Sequence, residues 1–453
     1  MTPKNKLGLF DFTLIVVSLV IGMGIFRTPA NVAKESPTPL IFFVIWLAGG
    51  LVALCGALTY AEIGSRLPVM GGYYKVFSYA YHPSIAFAIN CIILVSNAAS
   101  GAAVALVGSE YITGVIMPGI TDPGTIQIVH TIIALVAIII FYAVNMLGLR
   151  LSAKTQVILT IIKITLILLL IAPIFFAVDP STPSAAMPAI SPGLREYVKA
   201  FGLGLVAVSF TYGGYQQTIN FGFEVNKPDR YIPRGIFMGI FIIITLYLAI
   251  NYAYVHVIGF ENMKIEAQKA APNIAAIMAS KIFGVNAERI LSAFLFLSVL
   301  AYINALLLSN PRVMYAMSDD KILPAAFQKK NNRGALVVAL TVFAVLAAVS
   351  VFWARKFDKL LSFSIFLDSF GMVLSAGSIF VIRKRTAHLN GTGIFSMKLY
   401  PWLTLIFMAA YSFVAISIAL DYKNNDNAAL VGSSVLAFFI AIYFIAKALK
   451  KTS

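Results

Sequence analysis

Apolar runs of about 20 residues recur along this chain from end to end, and no other feature limits its fold so strongly. A helix of that length crosses a bilayer core of roughly 30 Å. Hydrocarbon offers no water to a backbone N–H or C=O, so a spanning segment must satisfy its own groups as a helix or sit in a closed barrel. Twelve runs stand near residues 11–34, 40–67, 84–118, 125–146, 155–178, 198–224, 233–259, 286–317, 335–354, 359–382, 399–420 and 428–448. They are continuous rather than alternating, which predicts helices. Only 11% of the 453 residues are charged, against roughly 25% in a soluble domain. The gaps between runs, at most about 26 residues, are too short for an independent core. The chain reads as an all-α polytopic membrane protein with twelve transmembrane helices.

A net charge of +16 would suit nucleic acid, but the Lys and Arg residues sit mostly between runs, where a membrane protein keeps them on the cytoplasmic side. An even span count puts both termini on one side. The loops on that side hold Lys4, Lys6, Arg66, Lys75, Arg150, Lys154, Arg230, Arg234, Arg333, Arg383, Lys384 and Arg385, so both termini are predicted to be cytoplasmic. Nucleic acid is excluded as a partner; the lipid bilayer is one. Lys4 and Lys6 ahead of an apolar run mimic a signal peptide, but no clean cleavage pattern follows, so the first run is read as a retained span. On the opposite side, "DPSTPSAAMPAISPG" is a polar loop, and Glu261 to Gly284 reads as short amphipathic helices over the outer face. Cys55 and Cys91 lack CxxC spacing, and His82, His130, His256 and His388 lack ligand spacing. No cofactor or metal is expected. There is no HExxH helix or GxSxG elbow, which argues against an enzyme.

Two runs are interrupted. "LVIGMGIFRTPANVA", Leu19 to Ala33, carries Gly22-Met23-Gly24 at mid-span, then Arg27 and Pro29. "SFTYGGYQQTINFGFEV", Ser209 to Val225, sets Gly213-Gly214 at mid-span. One opens residues 1–178 and the other opens residues 198–382, matching places in two five-span halves; residues 399–448 would add two helices. Paired interruptions of this kind mark an inverted-repeat transporter. Unwinding a helix in the membrane frees backbone groups, tolerable only where they line a cavity or meet a ligand. The half-helix after Gly24 would aim its positive end at that cavity, which suits a carboxylate. The break before Gly213 would offer carbonyls, which suit an ammonium. A site with both fits an α-amino acid. Pro29 then falls in the first turn of a short half-helix, where its missing N–H costs little.

"IGMGIF", Ile21 to Phe26, resembles the GSGIF signature of the amino acid–polyamine–organocation transporter superfamily. "YAEIGSRLPVMGGYY", Tyr60 to Tyr74, and "NPRVMYAMSDDKILP", Asn310 to Pro324, are similar to that family's motifs after the second and eighth spans. "SFTYGGYQQ" resembles the sixth span of its L-type amino acid transporter branch. The resemblance covers all twelve runs in order. It implies an inverted five-plus-five repeat (LeuT-like) with broken first and sixth helices. It further implies that Gly22, Met23 and Gly24 present N–H groups to the substrate carboxylate, with Ile21 and Ile25 beside them. Phe210 would be an aromatic lid, Thr211, Tyr212 and Gly213 would offer carbonyls to the ammonium, and Gln216 would be either a polar wall residue or a helix–helix hydrogen bond. Met23 stands where most members carry Ser or Thr, so a hydroxyl is lost and bulk gained.

Lys163 lies at mid-span in "TQVILTIIKITLILLLI". A charge there costs at least about 2.5–3.5 kcal/mol, so it must face a polar interior with partners. The resemblance places a Lys seven residues after a Gln, as Gln156 and Lys163 stand, where sodium-coupled proteins of this fold hold sodium. It implies a sodium-independent carrier, with the ammonium bridging first-span carbonyls and the eighth span near Asn304 or Tyr302. Glu110 is expected to be water-exposed or paired, Asp368 to gate or to pair inside the bundle, and Glu62, Arg66, Glu224, Arg230 and Arg312 to close the inner side as an ion-pair network. With neutral walls expected from Met23, Phe210, Tyr212 and Tyr215, the leading reading is a permease or exchanger of neutral L-amino acids in a bacterial inner membrane. The alternatives are an organic amine or polyamine carrier, which would want acidic wall residues, and a nutrient receptor that binds without transporting. Whether a partner subunit exists is not legible.

Overall fold

The computed structural model describes residues 6–22, 24–117, 119–120, 122–175, 193–268, 274–353, 357–391, 393–420 and 427–452. Sixteen α-helices account for nearly all of them. The first half holds α1 (Leu9–Val20), α2 (Gly24–Glu35), α3 (Pro39–Arg66), the short α4 (Gly72–Ala80), α5 (Pro83–Ile116), α6 (Pro123–Met146) and α7 (Leu149–Ile171). The second holds α8 (Leu194–Tyr212), α9 (Pro228–Ile258), the short α10 (Phe260–Glu266) and α11 (Ile274–Phe283), α12 (Val285–Asp319), α13 (Val337–Trp353) and α14 (Phe357–Arg385). Last come α15 (Trp402–Leu420) and α16 (Ala428–Thr452). Among the described residues, β-pairing is limited to isolated bridges such as Leu7 with Val225.

Among the described residues, eight helices are individually long and apolar enough to span: α3, α5, α6, α7, α9, α12, α14 and α15. α1 and α2 make one bent span, and α13 and α16 are shorter apolar helices. With α8 and its continuation, every one of the twelve runs corresponds to a helical element. The surface is apolar, as lipid contact requires, with Leu40, Ile139, Phe241 and Leu420 more than half exposed. Buried polar residues such as Asn90, Ser96, Lys163 and Asn304 are inside the bundle.

Local chemistry sets the helix starts. Thr38 caps α3 by accepting from the Ile41 N–H at 3.3 Å, with Pro39 in the first turn. Asp122 does the same for α6, accepting from the Thr125 hydroxyl and N–H at 2.6 and 2.7 Å, and these bonds hold its carboxyl below the usual range. α7 starts at Leu149 rather than near 155, because Arg150 and Lys154 make its first turns polar and hide them from an apolar-run reading. The expected outer-face helices are α10 and α11; residues 269–273 between them, and the polar loop at 179–192, lie outside the described residues.

Helices early in the chain pack on later ones. α2 meets α8, α3 lies along α9, α5 along α12 and α6 along α13. The two broken runs are therefore brought to the centre.

The expected inner ion-pair network is two separate clusters. Glu62 on α3 accepts from Arg66 at 2.8 Å and from both Nε and Nη2 of Arg383 on α14 at 2.7 Å, and its Oε2 takes the Met397 N–H at 2.9 Å. Arg66 also donates to Thr386 and Asn390. Glu224 pairs with Arg312 on α12 at 3.1–3.2 Å. Arg230 joins neither: two-thirds exposed, it approaches Asp229 at 3.8 Å.

Glu62→Gln should destabilise the protein by on the order of 3 kcal/mol, because two guanidinium groups lose their shared carboxylate and Arg66 is buried. A lowered thermal midpoint in detergent checks this; a midpoint within a degree of wild type would show that the cluster contributes little.

Candidate functional site

α1 stops at mid-bundle. The Ile21 N–H still reaches the Val17 carbonyl at 2.8 Å, but the chain then bends at Gly22, and α2 leaves at 42° to α1. Met23 lies outside the described residues. In an unbroken helix the carbonyls of Ser18, Val20 and Ile21 would accept from residues 22, 24 and 25. Here other helices supply the donors. The Lys163 ammonium on α7, wholly buried, donates to the Ile21 carbonyl and, at 3.4 Å, to the Ser18 carbonyl. The Tyr247 hydroxyl on α9 lies 3.3 Å from the Val20 carbonyl.

α8 breaks in a different way. Gly213 is extended (φ −68°, ψ 165°), and Gly214 has φ +112°, in the region that favours glycine. The continuation is not an α half-helix but two 3₁₀ turns, Tyr215–Asn220 and Gly222–Glu224. Gln216 turns back so that its Oε1 accepts the Gly214 N–H at 2.9 Å. It thus lines the cavity as a polar wall residue, one of the two roles expected of it, and also satisfies the break itself.

The two breaks touch. A Cβ on Gly24 would stand 2.7 Å from the Thr211 hydroxyl oxygen, and one on Gly214 would stand 2.1 Å from the Leu19 carbonyl oxygen. Only glycine allows this approach. The Tyr247 hydroxyl sits between them, 3.2 Å from the Thr211 carbonyl as well as 3.3 Å from that of Val20. With one proton, it donates to one at a time or shares the proton between them.

Beside this crossing is a cavity lined by Gly22, Gly24, Phe210, Thr211, Gly213 and Gln216. These are the expected site residues. Ile21, Ile25 and Tyr212 are buried and do not line it. The neutral wall expected of Tyr212 and Tyr215 is absent: Tyr212 packs on Trp46 and Tyr247, and Tyr215 on Tyr60. Asn304 is not a partner of Lys163. Its amide donates to Gln156 at 2.6 Å and accepts from Asn145 at 2.8 Å, while Gln156 holds the Ala301 carbonyl at 3.0 Å. That network ties α6, α7 and α12 together behind the break. Tyr302 lies closer in: its ring packs against Gly22 and its hydroxyl is 3.0 Å from that of Ser100.

The rest of the wall comes from α5, α12, α14 and α15: Asn97, Ser100, Tyr302, Asp368, Met372 and Tyr411 among others. Asp368 is a carboxylate on a wall expected to be neutral. It accepts a 2.8 Å hydrogen bond from Ser96, so it both pairs inside the bundle and faces the cavity. Spacing along one helix carried no signal for this convergence. Glu110, expected to be exposed or paired, accepts from Arg27 at 3.4 Å.

The amino acid permease family model matches residues 7–446. The chain is 26% identical over 416 residues to a serine/threonine exchanger, SteT, of Bacillus subtilis (strain 168), covering 91% of this chain and 90% of that protein. It is 24% identical to the human cystine/glutamate transporter over 423 residues, 90% and 80% of the two chains. It is 25% identical to the mouse large neutral amino acids transporter small subunit 2 over 421 residues, 90% and 75%.

Tyr247→Phe should cost about 1–3 kcal/mol, because buried carbonyls at both breaks lose their donor while the ring packing stays. Differential scanning fluorimetry in detergent measures it; an unchanged midpoint would mean that water or a shifted neighbour replaces the hydroxyl.

Proposed function

The chain belongs to the amino acid permease family, and from that premise we propose that it carries L-α-amino acids, those with neutral side chains included, by alternating access and without sodium. It is an integral multi-pass membrane protein and a transporter rather than an enzyme. The observation that supports the finer reading is the pair of broken helices meeting across Gly24 and Gly214 beside one cavity. In this reading the substrate carboxylate sits at the Gly22–Gly24 end, on the N–H groups opening α2, with Ile21 and Ile25 as packing behind. The ammonium sits at the Thr211–Gly213 end, and Phe210 closes over both. Met23 takes part through its backbone.

Sodium independence rests on Lys163. Carbonyls freed in a dry interior need a cation or a donor, and the ammonium fixed on those of Ser18 and Ile21 leaves no need for a mobile ion. Asn304 contributes by holding α7 against α12. Residues 1–178 and 198–382 act as the two moving repeats, and residues 399–448 as added helices. On the basic-loop side, taken as the cytoplasm of a bacterial inner membrane, Glu224–Arg312 and Glu62–Arg66–Arg383 close the path and part when it opens. An organic amine carrier is the second reading, favoured by Asp368 on the wall; it would accept amines lacking an α-carboxylate.

Uptake into proteoliposomes tests the proposal. Alanine or leucine should be taken up equally in sodium and choline buffers, and putrescine should compete poorly. Lys163→Ala should fold but lose at least about tenfold in rate, with Lys163→Arg rescuing little because a planar guanidinium does not match a compact ammonium. Sodium-stimulated uptake, or full activity of the alanine variant, would overturn sodium independence.

Phe210→Ala should lower uptake severalfold at unchanged expression and thermal midpoint, since a lid affects closure and not folding. Wild-type flux would reduce Phe210 to ordinary packing.

A further inference from the structure

Asp368 stands on the central cavity, midway along α14. Among the described residues its carboxylate accepts one hydrogen bond, from Ser96, and forms no ion pair. Among the described residues, no Lys, Arg or His lines the cavity. The nearby wall groups, Ser100, Tyr302, Tyr411 and Asn97, are uncharged. An ionisable group inside a membrane bundle is expensive and is kept where something pairs with it. A carboxylate accepts up to about four hydrogen bonds, so Ser96 orients this one without filling it.

The other carboxylates near the core are used up differently. Glu62 and Glu224 are held by arginines, and Glu110 meets Arg27. Asp368 alone among these four faces the substrate cavity with no protein counter-charge, which leaves its carboxylate open to a cation carried in by what enters. The α-ammonium of the substrate is assigned, in the proposal above, to the broken end of α8. A second positive group, on the substrate's side chain, is what remains.

We infer that Asp368 is a subsite for a side-chain ammonium, so that the carrier favours α-amino acids ending in a second amino group over neutral amino acids of the same length. This rests on the amino acid reading above and names its preferred substrate class. Ser96 is then a positioning residue, setting the carboxylate's rotamer.

Competition against radiolabelled alanine in proteoliposomes provides the test, with ornithine and norvaline as a pair differing at the side-chain end. Wild type should be inhibited at least about tenfold better by ornithine, the worth of one charge-assisted hydrogen bond. In Asp368→Asn that ratio should fall toward one, read within a single preparation so that a lower overall rate does not enter it. Asp368→Glu, which keeps the charge and extends it by one methylene, should shift the optimum along the diamino acid series to a chain one carbon shorter. Ser96→Ala should reduce the ratio by less than Asp368→Asn. A wild-type ratio near one overturns the inference. So does an unchanged ratio in Asp368→Asn, or a variant that alters only the pH dependence of alanine uptake, which would make the carboxylate a proton carrier. If wild type takes up no alanine and binds neither competitor, the amino acid reading itself fails; if alanine is carried but the side-chain amine brings no advantage, only the subsite does.

Discussion

Backbone groups set free inside hydrocarbon must be satisfied by the protein itself, and the arrangement of this bundle follows from how that is done at one crossing. Two spans unwind at their middles and touch. The carbonyls they release are met by a lysine from α7 and a tyrosine from α9, and the Gly214 N–H is met by Gln216 from the broken segment itself. Each donor comes from an element that must lie in register with the break. Helices far apart in sequence are thereby tied to one point, and the cavity exists because the same breaks leave room beside it.

Around that point lie two kinds of polar contact. Neutral amide chains are buried close to the breaks: Gln217 donates to Asn97, which donates to Asn310, and Asn145, Asn304 and Gln156 form a second chain. Such bonds fix helix registry without the desolvation cost of full charges. Charged pairs lie nearer the ends, where Glu62 joins α3 to α14 and Glu224 joins the segment after the second break to α12. Both kinds tie separate helices together, the amides beside the breaks and the ion pairs, themselves buried, toward the span ends.

The sequence expectations failed where a side chain's direction or partner was at stake. Tyr212 and Tyr215 are expected on the cavity wall, yet Tyr212, at the end of α8, packs on Trp46 and Tyr247, and Tyr215, opening the 3₁₀ continuation, packs on Tyr60. The sequence places Asn304 or Tyr302 near Lys163 because the eighth span is expected there, whereas a neighbouring amide is the better partner for Asn304. Arg230 is expected in one ion-pair network with Glu62, Arg66, Glu224 and Arg312 by its place near a span end, and it remains on the surface beside Asp229. For Asp368 the sequence allows a gate or an internal pair, and the bond from Ser96 meets the second, while its place on the cavity wall is not legible along α14. Each error has one source: distance along the chain does not report which residues of separate helices converge.

The helical apolar runs, the two interruptions and the awkward charge were legible because each is a local property. Apolar length is set against a bilayer of nearly constant thickness, glycine pairs weaken a helix where they stand, and a lysine amid aliphatic residues must find partners whatever the fold. The sequence therefore determined a helical membrane protein with breaks at Gly22–Gly24 and Gly213–Gly214 and a buried cation to be accommodated. Tertiary structure alone decided that the breaks touch through Gly24 and Gly214, that Lys163 and Tyr247 serve them, and that Asp368 faces the same cavity. Those outcomes depend on how helices hundreds of residues apart rotate and cross, and packing of whole faces sets that rotation.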